Sequence, residues 1–227
     1  DRVFTRLGGF SSLTSDKGVN QGKHIDHIYV FGKEVNQYSV RSIMVDFEVD
    51  NNSFKYQFAF SPEFAKEGCV NLFLGLPILE TKYGLGFIVD GSTFDIDQSR
   101  QRITNTIKTG QQLKLAFRKL VERLNECKST DIELFDYIYD SIIASDIPDG
   151  EDYDFIRSAF QEEFNEFLKS NVRTIQGEYV HIDKAQYTSE KLEWIPIEKI
   201  GSDRYWVSTD IRRKYDRCGV KGITRVG

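Results

Sequence analysis

Cysteine, proline, histidine and methionine are all scarce in this chain of 227 residues, at three, four, three and one copies, and each shortage removes an explanation. Cys69, Cys127 and Cys218 are odd in number, far apart and never in a C-x-x-C spacing. They read as reduced thiols of a cytosolic protein, not as a disulfide framework. His24, His27 and His181 make no credible metal set, because the run after His27 alternates like a strand and would not hold the first two on one helical face. No window approaches eighteen uninterrupted apolar residues, and the N-terminal stretch shows no signal-peptide core, which predicts a soluble cytoplasmic protein with no membrane partner. A basic excess is missing too. The net charge of −5 does not suit a nucleic-acid partner, whose phosphates call for a basic face. Lys and Arg do gather at Arg212, Arg213, Lys214 and Arg217, a cluster that reads as solvated surface.

What is present is ordinary for a globular protein: 40% hydrophobic and 29% charged residues. The length allows one large domain or two small ones. From about Ile25 to Val89 the pattern is strand-like. Phe54, Tyr56, Phe58 and Phe60 alternate cleanly, so that one face of an antiparallel sheet is buried, and Asp50-Asn51-Asn52-Ser53 supplies a hairpin turn. From about Ser99 the period changes. Ile103, Ile107, Gly110, Phe117, Leu120, Val121 and Leu124 form the stripe of a long helix laid on a sheet, with Gly110 a candidate break. Thr130-x-x-Glu133 reads as a capping box that opens a second helix, with Ile132, Phe135, Tyr139 and Ile142 inward; a third runs from about Asp152 to Lys169. After Ser170, strand-like runs return at 172–182, 192–197 and 204–207, with Gly177 placed for a hairpin.

The expectation is an α+β fold in three parts: an α+β domain over 1–127, in which a mostly antiparallel sheet packs on a long helix; a helical extension over 128–170; and a small β-rich module over 171–227.

The most informative string is Leu85-Gly-Phe-Ile-Val-Asp-Gly-Ser-Thr-Phe-Asp-Ile-Asp-Gln-Ser99-Arg100-Gln101-Arg102-Ile103. It reads as an apolar strand, a polar loop and the first turn of the long helix, which would set a guanidinium where helix N–H groups already favour anions. The run Asp95-Ile-Asp-Gln-Ser-Arg-Gln-Arg-Ile103 resembles the "N-x-S-R-E-x-L" segment in the middle domain of GHKL ATPases, the class of the large heat-shock chaperone. It is still more similar to bacterial proteins with sacsin-type ATP-binding repeats, in which a run like Leu76-Pro-Ile-Leu-Glu-Thr-Lys-Tyr-Gly-Leu-Gly-Phe87 comes first and a phrase like Thr174-Ile-Gln-Gly-Glu-Tyr-Val180 comes after it.

That resemblance implies a transducer-like domain whose Arg100 reaches the γ-phosphate of ATP, with Ser99 and Gln101 beside it. It places ATP and Mg²⁺ in the parent protein, none of either on this segment, and an upstream ATP-binding domain in cis as the partner. The Glu-bearing helix and Asp-x-Gly-x-Gly loop of that domain are not in these residues. The segment alone is therefore expected to be inactive, although the parent would be an ATPase. Homodimers are a habit of such proteins. Asp97 stands where the pattern has Asn, and Gln101 where it has an acid.

Other readings use the same residues. Arg100 could simply pair with Asp95 or Asp97 on the surface, in a scaffold for protein partners. Glu63, Glu80 and Lys82 have the order of a Mg²⁺-dependent nuclease signature, two carboxylates for the ion and a lysine for the attacking water. The acidic run 146–154 puts Ser145 and Ile147 where calcium ligands would have to stand, and so reads as a solvated loop and helix start. Trp194, Tyr205 and Trp206 could stack on a ligand, but core packing is the commoner use.

Overall fold

An aromatic alternation such as that of Phe54 to Phe60 needs partner strands on either side, and the chain folds to supply them. The computed structural model describes residues 19–20, 24–30, 33–39, 41–49, 51–65, 69–75, 77–187 and 205–226. The expected strand at 192–197 with Trp194, together with Asp50, Leu76 and Arg204, lies outside the described residues. Among the described residues seven strands come first: Val19–Asn20 (β1), His24–Val30 (β2), Lys33–Ser39 (β3), Arg41–Val49 (β4), Asn52–Phe60 (β5), Leu72–Phe73 (β6) and Phe87–Gly91 (β7). Five of them make one sheet in the order β1-β4-β5-β7-β6, antiparallel except between β6 and β7, while β2 and β3 pair with each other.

The hairpin between β4 and β5 is tighter than expected. Pairing runs as far as Val49 opposite Asn52, so Asn52 and Ser53 belong to the strand and not to the turn. Asn51 makes the corner at φ 63°, a left-handed conformation that asparagine adopts more readily than most residues.

Across the sheet Phe58 lies opposite Val89 and Phe60 opposite Phe87. Over them runs the helix Thr106–Thr130 (α1). Its Phe117 ring sits 6.0 Å from Phe58 and 5.7 Å from Phe87, and Leu113, Ala116, Leu120 and Leu124 are buried beside it. Each such fully buried aromatic contributes roughly 1.5–3 kcal/mol through burial, which makes this cluster the centre of the fold.

The start of α1 differs from the expectation by several residues. Ile103 lies before the helix and Ile107 is 75% exposed, because the segment from Asp97 to Arg102 spends its backbone N–H groups on a turn and Asn105 then caps the helix. Gly110 does not break α1. It is buried with Phe155 above it, where a Cβ would stand 3.4 Å from Phe155 Cβ.

The next helix, Ile132–Ile143 (α2), begins after one residue. Its cap is Asp131 and not Thr130: the Asp131 N–H donates to Cys127 O, which ends α1, while its carboxylate accepts from Leu134 N–H, which begins α2. That places Ile132 outward, 49% exposed, and leaves Phe135, Tyr139 and Ile142 buried as expected.

The described chain divides into two compact units, residues 1–159 and 160–227, with the division inside the helix Asp154–Ser170 (α3); the sequence pattern sets its boundaries after 127 and 170. The α+β class holds for the protein. In the second unit the hairpin at Gly177 forms between Val172–Arg173 (β8) and Tyr179–Val180 (β9). Ala185–Tyr187 (β10) pairs in parallel with Tyr205–Trp206 (β11) and, past the helix Thr209–Arg217 (α4), with Thr224–Arg225 (β12).

Two of the clustered basic residues carry partners on α4 itself, Arg212 with Asp216 at 3.0 Å and Lys214 with Asp210 at 2.9 Å. This is the pattern of a solvated helix. The buried Tyr215 hydroxyl lies 3.0 Å from both Leu168 O and Asn171 O and can donate to either, at the C-terminal end of α3, where Leu168 O also accepts from Asn171 N–H at 3.1 Å. Tyr215→Phe should therefore lower stability by about 1–2 kcal/mol, seen as an earlier urea midpoint with an unchanged slope.

Candidate functional site

Ser92 to Asn105 joins β7 to α1, and one carboxylate organises it. Asp97 Oδ1 accepts from the N–H groups of Gln101, at 2.7 Å, and Arg102, at 3.0 Å, and Oδ2 accepts from Ser99 Oγ. The backbone of Asp97 closes the same turn: Arg100 N–H donates to Asp97 O at 3.0 Å and Asp97 N–H to Arg102 O at 3.1 Å. These bonds, led by that from Ser99, hold the Asp97 carboxyl below the usual carboxylate range. An asparagine or aspartate that offers such local bonds competes directly with helix formation. That is why Ser99 to Arg102 form a turn and not the first turn of α1.

Arg100 occupies the left-handed position of that turn, at φ 58°. A non-glycine residue there costs roughly 1–2 kcal/mol, which the surrounding bonds must offset. The turn is also clipped to the segment before β7: Leu79 N–H donates to Arg100 O at 3.2 Å and Glu80 N–H to Gln101 O at 2.9 Å. Two exposed ion pairs decorate it, Arg102 Nε to Glu80 Oε2 at 2.5 Å and Lys108 Nζ to Asp95 Oδ2 at 2.9 Å. Solvent screening makes such surface pairs weak.

The expected guanidinium at the helix mouth is not there. The N-terminus of α1 is closed by Asn105, whose Oδ1 accepts from Lys108 N–H at 3.0 Å. The Arg100 side chain, half buried, points to the other side of the turn, and its Nη2 donates to Leu74 O at 2.8 Å. The Arg100 Nε is buried with no hydrogen-bond partner among the described residues. Arg100 pairs with neither Asp95 nor Asp97, since the first takes Lys108 and the second takes the turn. Its acceptor is itself held: Gly75, at φ 65°, donates its N–H to Asp90 Oδ1 at 2.8 Å. Burial pushes the Asp90 carboxyl up, and the Gly75 N–H pulls it back in part.

Ser99, Arg100 and Gln101 thus share one turn, but they do not present three free groups. The Ser99 hydroxyl is given to Asp97, and Gln101 contributes its backbone on both sides while its side chain is exposed. The nuclease residues are placed differently again. Glu80 faces Arg102, Thr81 turns inward to Leu72 and Ile78, Lys82 is exposed, and Glu63 sits in a 3₁₀ turn, Pro62–Ala65. Among the described residues no three His, Cys, Asp or Glu side chains converge as a metal would need. No helix among them is long and apolar enough to cross a membrane.

Sequence reasoning missed the residues that hold this region to the core. Asn71 is fully buried, its Nδ2 donating to Leu85 O at 3.0 Å and Phe87 O at 3.2 Å and its Oδ1 accepting from Tyr83 N–H at 2.8 Å. Gly84 and Gly86 let the chain pass against the end of α2, where Asp146 N–H donates to Gly84 O at 2.8 Å and Gly86 N–H to Ser145 Oγ at 3.0 Å. The G-x-G spacing was the available signal for the glycines; a lone asparagine in a strand-like run gives none.

No protein-family model matches this chain, and no curated protein matches it either.

Proposed function

We propose that this chain is a transducer segment that couples the nucleotide state of a GHKL-type ATP-binding module, supplied upstream in the same polypeptide, to movement of downstream domains. ATP and Mg²⁺ belong to that module. This chain contributes Arg100. The observation that carries the reading is the Arg100 turn: an arginine in left-handed backbone, closed by Asp97, with one guanidinium N–H on Leu74 O and a buried Nε that has no partner among the described residues.

Arginine offers five N–H donors in a planar fork, and Leu74 takes one. On nucleotide binding the guanidinium leaves Leu74 O and turns to the γ-phosphate. There it stabilises the charge that spreads over the phosphoryl oxygens as the bond to the leaving group lengthens. The attacking water and its base lie in the ATP-binding module. Because β7 is bonded to β5 and α1 is packed onto both through Phe117, a pull on the loop between β7 and α1 reaches both elements.

The test is ATP turnover in the polypeptide that carries the ATP-binding module. Arg100→Ala should lower kcat about tenfold or more, and Arg100→Lys should not restore it, because a point charge lacks the fork. The bond to Leu74 O favours one other reading, in which Arg100 merely ties the turn to Leu74 in a protein-binding scaffold. That reading predicts unchanged turnover and a lower melting temperature in Arg100→Ala.

A further inference from the structure

The Asp97 carboxylate is better placed to aim Arg100 than any other side chain described. We infer that Asp97 is the positioning residue of this site: through its bonds to Ser99 Oγ and to the Gln101 and Arg102 N–H groups it fixes Arg100 in the left-handed backbone from which the guanidinium is presented. This rests on the phosphate role proposed for Arg100.

The argument is one of connectivity. A turn that places a non-glycine residue at positive φ persists only where its surroundings over-determine it. Here Asp97 supplies the three side-chain bonds named and both ends of the backbone closure, Arg100 N–H to Asp97 O and Asp97 N–H to Arg102 O. The backbone of Leu79 and Glu80 holds the Arg100 and Gln101 carbonyls, but the Glu80 side chain adds only one exposed ion pair to Arg102, 70% and 48% exposed on its two sides, which leaves Asp97 as the chief side-chain constraint on the turn. Asp97 makes no hydrogen bond or ion pair with the Arg100 side chain, whose Nη2 is on Leu74. It acts through the backbone and would touch neither nucleotide nor water.

The experiment combines turnover with amide exchange. In the polypeptide carrying the ATP-binding module, Asp97→Ala should lower kcat by a factor close to that of Arg100→Ala. Asp97→Asn, which keeps an Oδ1 acceptor for both N–H groups and an amide that can donate to Ser99, should restore most of it. The double variant should be no slower than Arg100→Ala alone, because Asp97 works only through that arginine. In the 227-residue chain, the Gln101 and Arg102 amides should be protected from hydrogen exchange in wild type and Asp97→Asn and lose protection in Asp97→Ala. Losses that multiply in the double variant would overturn the inference, as would wild-type turnover in Asp97→Ala alongside a slow Arg100→Ala, or amides that stay protected in Asp97→Ala. Wild-type turnover in Arg100→Ala overturns the phosphate role first, and this inference with it.

Discussion

Gly86→Ala should unfold the sheet of β4, β5, β7 and β6 with its helices α1 and α2 at temperatures where the wild type is folded. A Cβ built at Gly86 would stand 1.7 Å from Ser141 O and 2.7 Å from Ser141 C, both backbone atoms of α2. Neither side can yield cheaply. Gly86 N–H is bonded to Ser145 Oγ, and Gly84 O accepts from Asp146 N–H, so the two segments are fastened at the same point where the methyl would drive them apart. Overpacking of this kind costs typically 1–3 kcal/mol when side chains can move and more when backbone must.

We expect more than about 3 kcal/mol, a fall in Tm on the order of 10 °C by calorimetry. Gly84→Ala should behave similarly, since its Cβ would lie 2.2 Å from Asp146 O and its φ is 69°. Gly75→Ala is the control. Gly75 shares the positive φ, at 65°, but nothing lies within 4 Å of its Cβ, so only the left-handed penalty of roughly 1–2 kcal/mol remains. A Gly86→Ala protein that melts no earlier than Gly75→Ala would refute the close approach.

Asn71→Ala comes second in size. The substitution strips a bonding partner from Tyr83 N–H, Leu85 O and Phe87 O, inside a region where Asn71 itself is fully buried. A buried polar group left without a partner costs roughly 1–3 kcal/mol, so the sum should be about 3 kcal/mol or more, with the urea midpoint as readout. Asn71→Asp should be no better. It restores the acceptor for Tyr83 but puts a carboxylate against two carbonyl oxygens, and a buried charge without a partner is costlier than a buried amide. A loss under about 1 kcal/mol in Asn71→Ala would show that water, and not the side chain, serves these groups.

Much of the architecture was legible because it rests on periodicity. The alternation of Phe54, Tyr56, Phe58 and Phe60 required one buried sheet face, and the three-and-four spacing of Phe117, Leu120 and Leu124 required a helix to cover it. The onset of α1 was not legible, because Asp97 and Asn105 both offer to satisfy backbone N–H groups and their competition is settled by bonds to Glu80 and Leu79, which lie before β7. The direction of Arg100 was hidden for the same reason. It depends on Leu74 O, an acceptor 26 positions earlier that no local pattern marks. Asp131 displaced Thr130 as a cap because a single residue had to end one helix and begin another, a double duty that a motif read forward from Thr130 does not consider.

The 25 residues of α1 make a rod about 37 Å long at 1.5 Å per residue, and Asp131 is the only residue between its far tip and the next rod. Tilting α1 by about 5° about Asn105 would sweep that tip through about 3 Å. With no slack at Asp131 to absorb the swing, the first turn of α2 would have to travel with it, so sub-ångström adjustments beside Arg100 would arrive at the elbow magnified.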